Sequence, residues 1–235
     1  MIFKRLERLY RIILVKFPLP TFLKRLAGYI YLYFFYCDLV GYESLIKVLE
    51  KEGVARLSGD FVEIGSFVGG GTKKLANYAI HQGKRVYAID IFDPLADFTT
   101  CEKGISMANI YISILQSLGL TMFEAYWFNV SKNPNVITIP KDSKKVKFPI
   151  GQQFAFGFID GNHSPEYVMN DFYLVWRHLV PGGIVALHDY GYDLPKVTET
   201  INKLIQKHKE DIEKIIINPA VHVIFIKKKR NYKVC

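Results

Sequence analysis

Cysteine is scarce in this chain: Cys37, Cys101 and Cys235 are scattered through 235 residues with no paired spacing. Such a set suggests neither a disulfide framework nor a zinc site and fits a reducing, cytoplasmic setting. Long apolar runs are also missing. The stretch from Leu26 to Tyr36, closed by Asp38 and Gly41, is shorter than the roughly 20 residues a spanning helix needs. It is a poor secretory leader as well, because no small-residue cleavage pattern follows it. It is expected to form a buried helix in a lid or a subunit interface. No repeats or low-complexity tracts occur. Acidic residues are in the minority, 22 against 31 Lys and Arg, for a net charge of +9. That balance favours an anionic partner, although lysines spread along a chain also serve solvation.

The positive charge is densest at the start, with seven Lys/Arg and one acid, Glu7, between Met1 and Arg25. At about 100° per residue, Lys4, Arg5, Arg8, Arg11 and Lys16 share an arc of roughly 140°. Ile2, Phe3, Leu6, Leu9, Tyr10, Ile13, Leu14 and Phe17 fill the other side. This is the pattern of an amphipathic helix stopped by Pro18 and Pro20. It suits either an anionic membrane surface or a cap packed on the following domain or on a second copy. Residues 1–57 thus read as a helical extension, with a helix from Ser44 to Glu52, and residues 58–235 as one domain with a substantial core.

In that domain apolar runs alternate with helical patterns. Strands are expected at 60–65, 85–91, 136–140, 154–160 and 183–188, with helices at 72–82, 105–128, 165–179 and 194–208. A final hairpin near 213–217 and 221–227 turns at Asn218-Pro219-Ala220. The class is α/β: a Rossmann-like, mostly parallel sheet of seven strands with an antiparallel edge. Right-handed crossovers then gather the ligand loops at the carboxyl ends of the strands.

Phe61-Val62-Glu63-Ile64-Gly65-Ser66-Phe67-Val68-Gly69-Gly70-Gly71 is the most informative stretch. An apolar run ends in an acid, and four glycines follow within seven positions, as where a strand stops, turns against a ligand and launches a helix near Thr72. A dinucleotide fingerprint would want glycines at 65, 67 and 70, but residue 67 is Phe. Glu-x-Gly-x-x-x-Gly instead resembles the first motif of class I S-adenosylmethionine (SAM)-dependent methyltransferases. The resemblance implies that Glu63, Gly65, Ser66, Gly69 and Gly70 surround the methionyl part of SAM, with Glu63 near its amino group. Val86-Tyr87-Ala88-Ile89-Asp90 is a second buried strand ending in an acid; Asp90 can accept from both ribose hydroxyls of an adenosine. Asp142 and Ser143, after the third strand, match the position that reads the adenine edge, and Asp-Ser is equally a helix cap.

Two later motifs, Ile159-Asp160-Gly161-Asn162-His163-Ser164 and Pro181-Gly182-Gly183-Ile184-Val185-Ala186-Leu187-His188-Asp189-Tyr190, extend the likeness. Together with the glycine loop they resemble a subfamily that includes macrolide-sugar O-methyltransferases and cephalosporin-hydroxylase-like proteins. Asp160, also placed beside the cofactor, and Asp189 end strands expected to be neighbours, about 4.8 Å apart. Carboxylates that close need a shared proton or a cation between them. Hard oxygen ligands suit Mg²⁺, or Mn²⁺ with imidazole help from His188, unless that side chain points into the sheet. Such an ion can bind vicinal hydroxyls and lower the pKa of the reacting one. His163 is the preferred general base, with Asp189 or a cation-ligand role for His163 as alternatives. Phe67, Tyr111, Tyr126, Trp127 and Tyr192 are candidates for an acceptor wall.

The function these readings converge on is SAM-dependent, metal-assisted O-methylation of a sugar or other small polyol-like acceptor, with a glycan or lipid-linked sugar at the inner membrane face as an extension and a homo-oligomer as a further partner. Alternatives are a metal-independent N-methyltransferase, a hydroxylase-like relative and a non-catalytic SAM-binding protein. Nucleic-acid methylation is disfavoured: there is no Asn/Asp-Pro-Pro-aromatic motif, Cys101 lacks a Pro-Cys context, and no RNA-binding module is visible.

Overall fold

The computed structural model describes residues 20–35 and 37–230. The amphipathic segment expected before Pro18 lies outside the described residues. Seven strands form one sheet: β1 (Asp60–Ile64), β2 (Val86–Asp90), β3 (Val136–Pro140), β4 (Phe154–Ile159), β5 (Leu179–Leu187), β6 (Ile212–Asn218) and β7 (Val223–Lys228). Their spatial order is β3-β2-β1-β4-β5-β7-β6. β3, β2, β1, β4 and β5 run parallel, whereas β7 pairs antiparallel with both β5 and β6. The expected α/β sheet with its antiparallel edge is therefore present. β1 and β4 sit at its centre, where the order of connections reverses and ligands bind in such sheets.

Helices α1 (Thr21–Phe35), α2 (Tyr42–Lys51), α3 (Gly70–Ile80), α4 (Met107–Leu118), α5 (Met122–Val130), α6 (Pro165–Trp176) and α7 (Pro195–Lys207) complete the chain. The period of two along the strands splits the core. Val62, Ile64 and Val185 face Phe172 and Val175 of α6 and Ile201 of α7. Phe61, Phe156, Phe158 and Ile184 face Leu45 and Leu49 of α2 and Leu75 and Ala79 of α3. Tyr42, Leu45, Leu49 and Val54 thus share one core with β1 and β4.

Several boundaries differ from expectation, each for a local reason. α3 begins at Gly70, two residues early, because Gly69 takes a left-handed N-cap conformation. The 105–128 region divides where Gly119 (φ +65°) ends α4 and Thr121 opens α5 through a capping box with Glu124. β5 starts at Leu179 rather than 183; Leu179 pairs with Phe154 and Ile184 with Phe156, so Val180–Gly183 bulge between them. α1 is not the buried helix that its composition suggested. Gly28, Tyr31 and Leu32 are buried against α4 and α5, while Phe22, Leu26, Ile30, Tyr33 and Phe34 are exposed.

Candidate active site

The glycine loop is shaped first by the protein itself. Gly65 has φ +90°, and a Cβ there would lie 2.0 Å from the carbonyl oxygen of Asp160. Glycine lets the end of β1 lie against the end of β4, so close backbone packing, rather than the ligand contact expected, demands it. The alternation of β1 turns Glu63 away from the strand-end cleft toward α2 and α3. There its carboxylate, fully buried, accepts from the hydroxyls of Tyr42 (2.6 Å), Ser66 (2.6 Å) and Thr72 (2.5 Å). Burial pushes its pKa up to about 7 even though the three hydroxyls oppose that shift. Glu63 therefore ties β1, the loop and α3 together, instead of standing in the cleft where an amino group would reach it.

The cleft itself is open to solvent and has a cavity volume of about 150 Å³. Gly65, Ser66, Gly70, Asp90, Asp142 and Ser143 line it, together with Asp160; Gly69 and Glu63 do not. Asp90 accepts from the backbone N–H groups of Ser66 (2.8 Å), Phe67 (2.8 Å) and Phe92 (2.6 Å). A carboxylate has about four acceptor positions, so one, rather than the two foreseen, is left for a ribose hydroxyl. Burial raises the Asp90 pKa against those three amides. Asp142 performs the cap foreseen as one alternative, accepting from the N–H of Lys144 at 3.0 Å, and still lines the cleft.

Beside the cleft, around a small cavity that shares Asp160 with it, β4 and β5 are adjacent and parallel. They bring together Asp160, His163, His188 and Asp189. Nε2 of His163 lies 2.8 Å from Asp189 Oδ2 and 3.8 Å from Asp160 Oδ1. Nδ1 of His188 lies 3.1 Å from Asp160 Oδ1 and 3.2 Å from Asp189 Oδ1. Despite this proximity, both buried nitrogens lack a hydrogen-bond partner. One ligand atom each from Asp160, His163 and Asp189 lies within 4.8 Å of the others. An oxygen-rich set with one imidazole and an orphaned nitrogen fits a divalent cation such as Mg²⁺ or Mn²⁺. His188 faces the carboxylates rather than the sheet, outside that three-residue cluster. Asp189 is held at φ +58°, a conformation that costs a non-glycine residue energy and is found at functional sites.

Sequence reasoning missed Asp97. Its side chain, 6% exposed, sits behind His163, 2.5 Å from Nδ1, and also accepts from the His163 backbone N–H at 3.2 Å. A separation of 66 residues and an unremarkable loop context leave no local signal for that pair. Burial opposes charge on His163, but Asp160, Asp189 and Asp97 outweigh it and hold its pKa well above the usual imidazole range. That direction favours the charged ring and works against the general-base role expected for it. His188 is likewise raised to about 10, its burial outweighed by Asp160 and Asp189. Burial raises both carboxyls, but the imidazoles prevail and keep Asp160 and Asp189 below their ordinary values.

The aromatic wall is smaller than foreseen. Phe67 and Tyr111 line the cleft with ring centroids 5.3 Å apart. Tyr126 is fully buried and bonded to Thr138, while Trp127 and Tyr192 are exposed outside the cleft lining. The turn between α1 and α2, Cys37 to Val40, also lines the cleft and was not foreseen as doing so.

Comparison with known proteins agrees with this geometry. A family model described as "Methyltransferase domain" matches residues 62–190, more than half of the chain. An uncharacterised protein of Acanthamoeba polyphaga mimivirus is 26% identical over 168 residues; the match covers 69% of this chain and 64% of that protein. The O-methyltransferase NovP superposes with a TM-score of 0.59 at 18% identity, covering 80% of this chain and 79% of NovP. CalS11, described as a TDP-rhamnose 3'-O-methyltransferase of calicheamicin biosynthesis, gives a TM-score of 0.57 at 14% identity over 95% and 93%. A Streptococcus mutans protein solved in complex with SAH gives 0.51 at 11% identity over 78% and 97%. At these identities the likeness to solved structures carries the fold alone. With the strand order, the glycine loop and the match across 62–190, the chain belongs to the methyltransferase-domain family, in its class I, SAM-dependent architecture.

Proposed function

We propose that this enzyme transfers the methyl group of SAM to a hydroxyl oxygen of a sugar or other small polyol-like acceptor, assisted by a divalent cation, Mg²⁺ or Mn²⁺. The observation that carries the proposal is the convergence of Asp160, His163 and Asp189 around a buried, unpartnered imidazole nitrogen beside the cleft. NovP and CalS11, O-methyltransferases by description, support the reaction type.

In this reading the loop from Gly65 to Gly70 lies along the methionyl part of SAM, Asp90 takes one ribose hydroxyl, and Asp142 and Ser143 meet the base. Asp160, Asp189 and Nε2 of His163 would hold the cation, which when bound lowers the pKa of a coordinated acceptor hydroxyl. Asp97 fixes the ring of His163 through Nδ1 and directs Nε2 at the carboxylates, the carboxylate–histidine arrangement common behind metal ligands. Asp189, kept ionised beside the imidazoles, is the carboxylate placed to take the acceptor's proton. Phe67 and Tyr111 exclude water beside the reacting atoms and help align oxygen, methyl carbon and sulfur. The exposed apolar face of α1, with the basic residues before it, supports peripheral contact with an anionic membrane on the cytoplasmic side and hence a lipid-linked acceptor. Among the described residues, no helix is long and apolar enough to cross a membrane.

Calorimetric titration with S-adenosylhomocysteine (SAH), then with Mg²⁺ or Mn²⁺, tests the proposal. Micromolar SAH binding lost in Asp90→Ala and a separate chelator-sensitive ion isotherm lost in Asp160→Ala are expected. A cation-free reading has one observation in its favour, because the two protonated imidazoles already neutralise Asp160 and Asp189. Methyl transfer undiminished by EDTA would select it.

A further inference from the structure

The cleft contains a buried acid that nothing above uses. Asp171, on the second turn of α6, is 1% exposed and lines the cleft together with Asp142, Ser143 and Tyr167. Its Oδ1 accepts from the side-chain amide of Asn170 at 2.9 Å, but Oδ2 has no hydrogen-bond partner. A carboxylate buried with an empty acceptor position is costly, and such groups are retained where a ligand completes them. The position is well braced. Gly161 leaves room for this oxygen, since a Cβ there would approach Oδ2 to 3.2 Å. Lys144 bridges the two elements that flank the site, pairing with Glu166 at 2.8 Å and lying 3.8 Å from the Tyr167 ring centroid. Other polar groups facing Asp171 are Ser143 and Asp142, and burial is what raises its pKa, to about 6, leaving it mostly ionised at neutral pH.

Resting on the SAM reading of the cleft, we infer that Asp171 is a positioning and specificity residue for the cofactor: its Oδ2 accepts a hydrogen bond from the exocyclic amine of the adenine ring. Asp90 marks the ribose position at the end of β2, and the base must extend from there. Asp142, Ser143, Tyr167 and Asp171 are polar groups on the cleft wall. Adenine offers one strong donor on its edge, the exocyclic amine, whereas hypoxanthine presents a carbonyl oxygen there that a carboxylate repels. A site built to accept from one group rejects the analogue lacking it far more strongly than shape alone can.

The test is calorimetric titration of the full chain with SAH and with its deaminated analogue S-inosylhomocysteine, in wild type and Asp171→Asn. Wild type should prefer SAH by tenfold or more. Asp171→Asn, whose amide can serve either base, should bring the two affinities within about threefold. A ratio unchanged in Asp171→Asn, or equal affinities in wild type, would overturn the inference; the wild-type comparison stands even if the variant does not fold. Absence of SAH binding in wild type would instead overturn the SAM reading and this inference with it.

Discussion

Replacing Glu63 by Gln should change how the stability of this enzyme depends on pH. Glu63 is fully buried, and its carboxylate accepts from Tyr42, Ser66 and Thr72. Two effects oppose one another. Burial favours the neutral acid and the hydroxyls favour the anion, with burial prevailing to give a pKa of about 7 against an ordinary 4.5. Between those values the folded protein keeps a proton that the unfolded chain has released. The stabilising contribution is full below about pH 4.5 and is lost as pH rises through 7. At about 1.4 kcal/mol per unit, wild type should lose about 3 kcal/mol across that window. Glu63→Gln keeps the shape and an acceptor but does not titrate, so it should lack this component. Urea unfolding followed by circular dichroism at pH 5, 6, 7 and 8 would read the difference between the two curves. Parallel curves would refute the reasoning. They are what a Glu63 that is an anion throughout would give, because its titration would then fall below pH 4.5.

The other predictions concern the site and the surface. Asp97→Asn should weaken Mn²⁺ binding by about 10–100-fold while leaving SAH affinity within twofold, as for other residues that orient a ligating imidazole; unchanged Mn²⁺ affinity would remove Asp97 from the mechanism. Gly65→Ala, which combines φ +90° with a Cβ 2.0 Å from a carbonyl oxygen, should cost about 2–4 kcal/mol in urea unfolding from backbone strain and overpacking. It should also weaken SAH binding, and wild-type stability would show that the loop can relax. On α1 the triple variant F22S/L26S/Y33S should lose flotation with phosphatidylglycerol vesicles that wild type shows. Equal behaviour of the two proteins would exclude this face as a membrane contact.

Features set by neighbouring residues could be read without the fold. The apolar run into Glu63 and the glycines behind it announce a strand, a turn and a helix, because strand length and left-handed turns are local preferences. The alternation of strands and helices limits the topology because crossovers are right-handed, and so the adjacency of Asp160 and Asp189 was legible. What side chains meet across the chain was not. The pairing of Asp97 with His163 depends on a loop after β2 reaching the end of β4, and it adds a third carboxylate to those that favour the charged ring. Glu63 was correctly placed at a strand end, but the pleat turned its carboxylate to Tyr42 and Thr72. Asp171 reads in sequence as one polar residue on an amphipathic helix, and only the neighbouring cleft makes its unpartnered oxygen meaningful. The apolar residues of α1 have no sidedness of their own; packing on α4 and α5 decides which are buried. Local conformational preference acts within a few residues and can be read along the chain, whereas burial, hydrogen bonding and charge coupling belong to pairs that only the folded arrangement brings within reach.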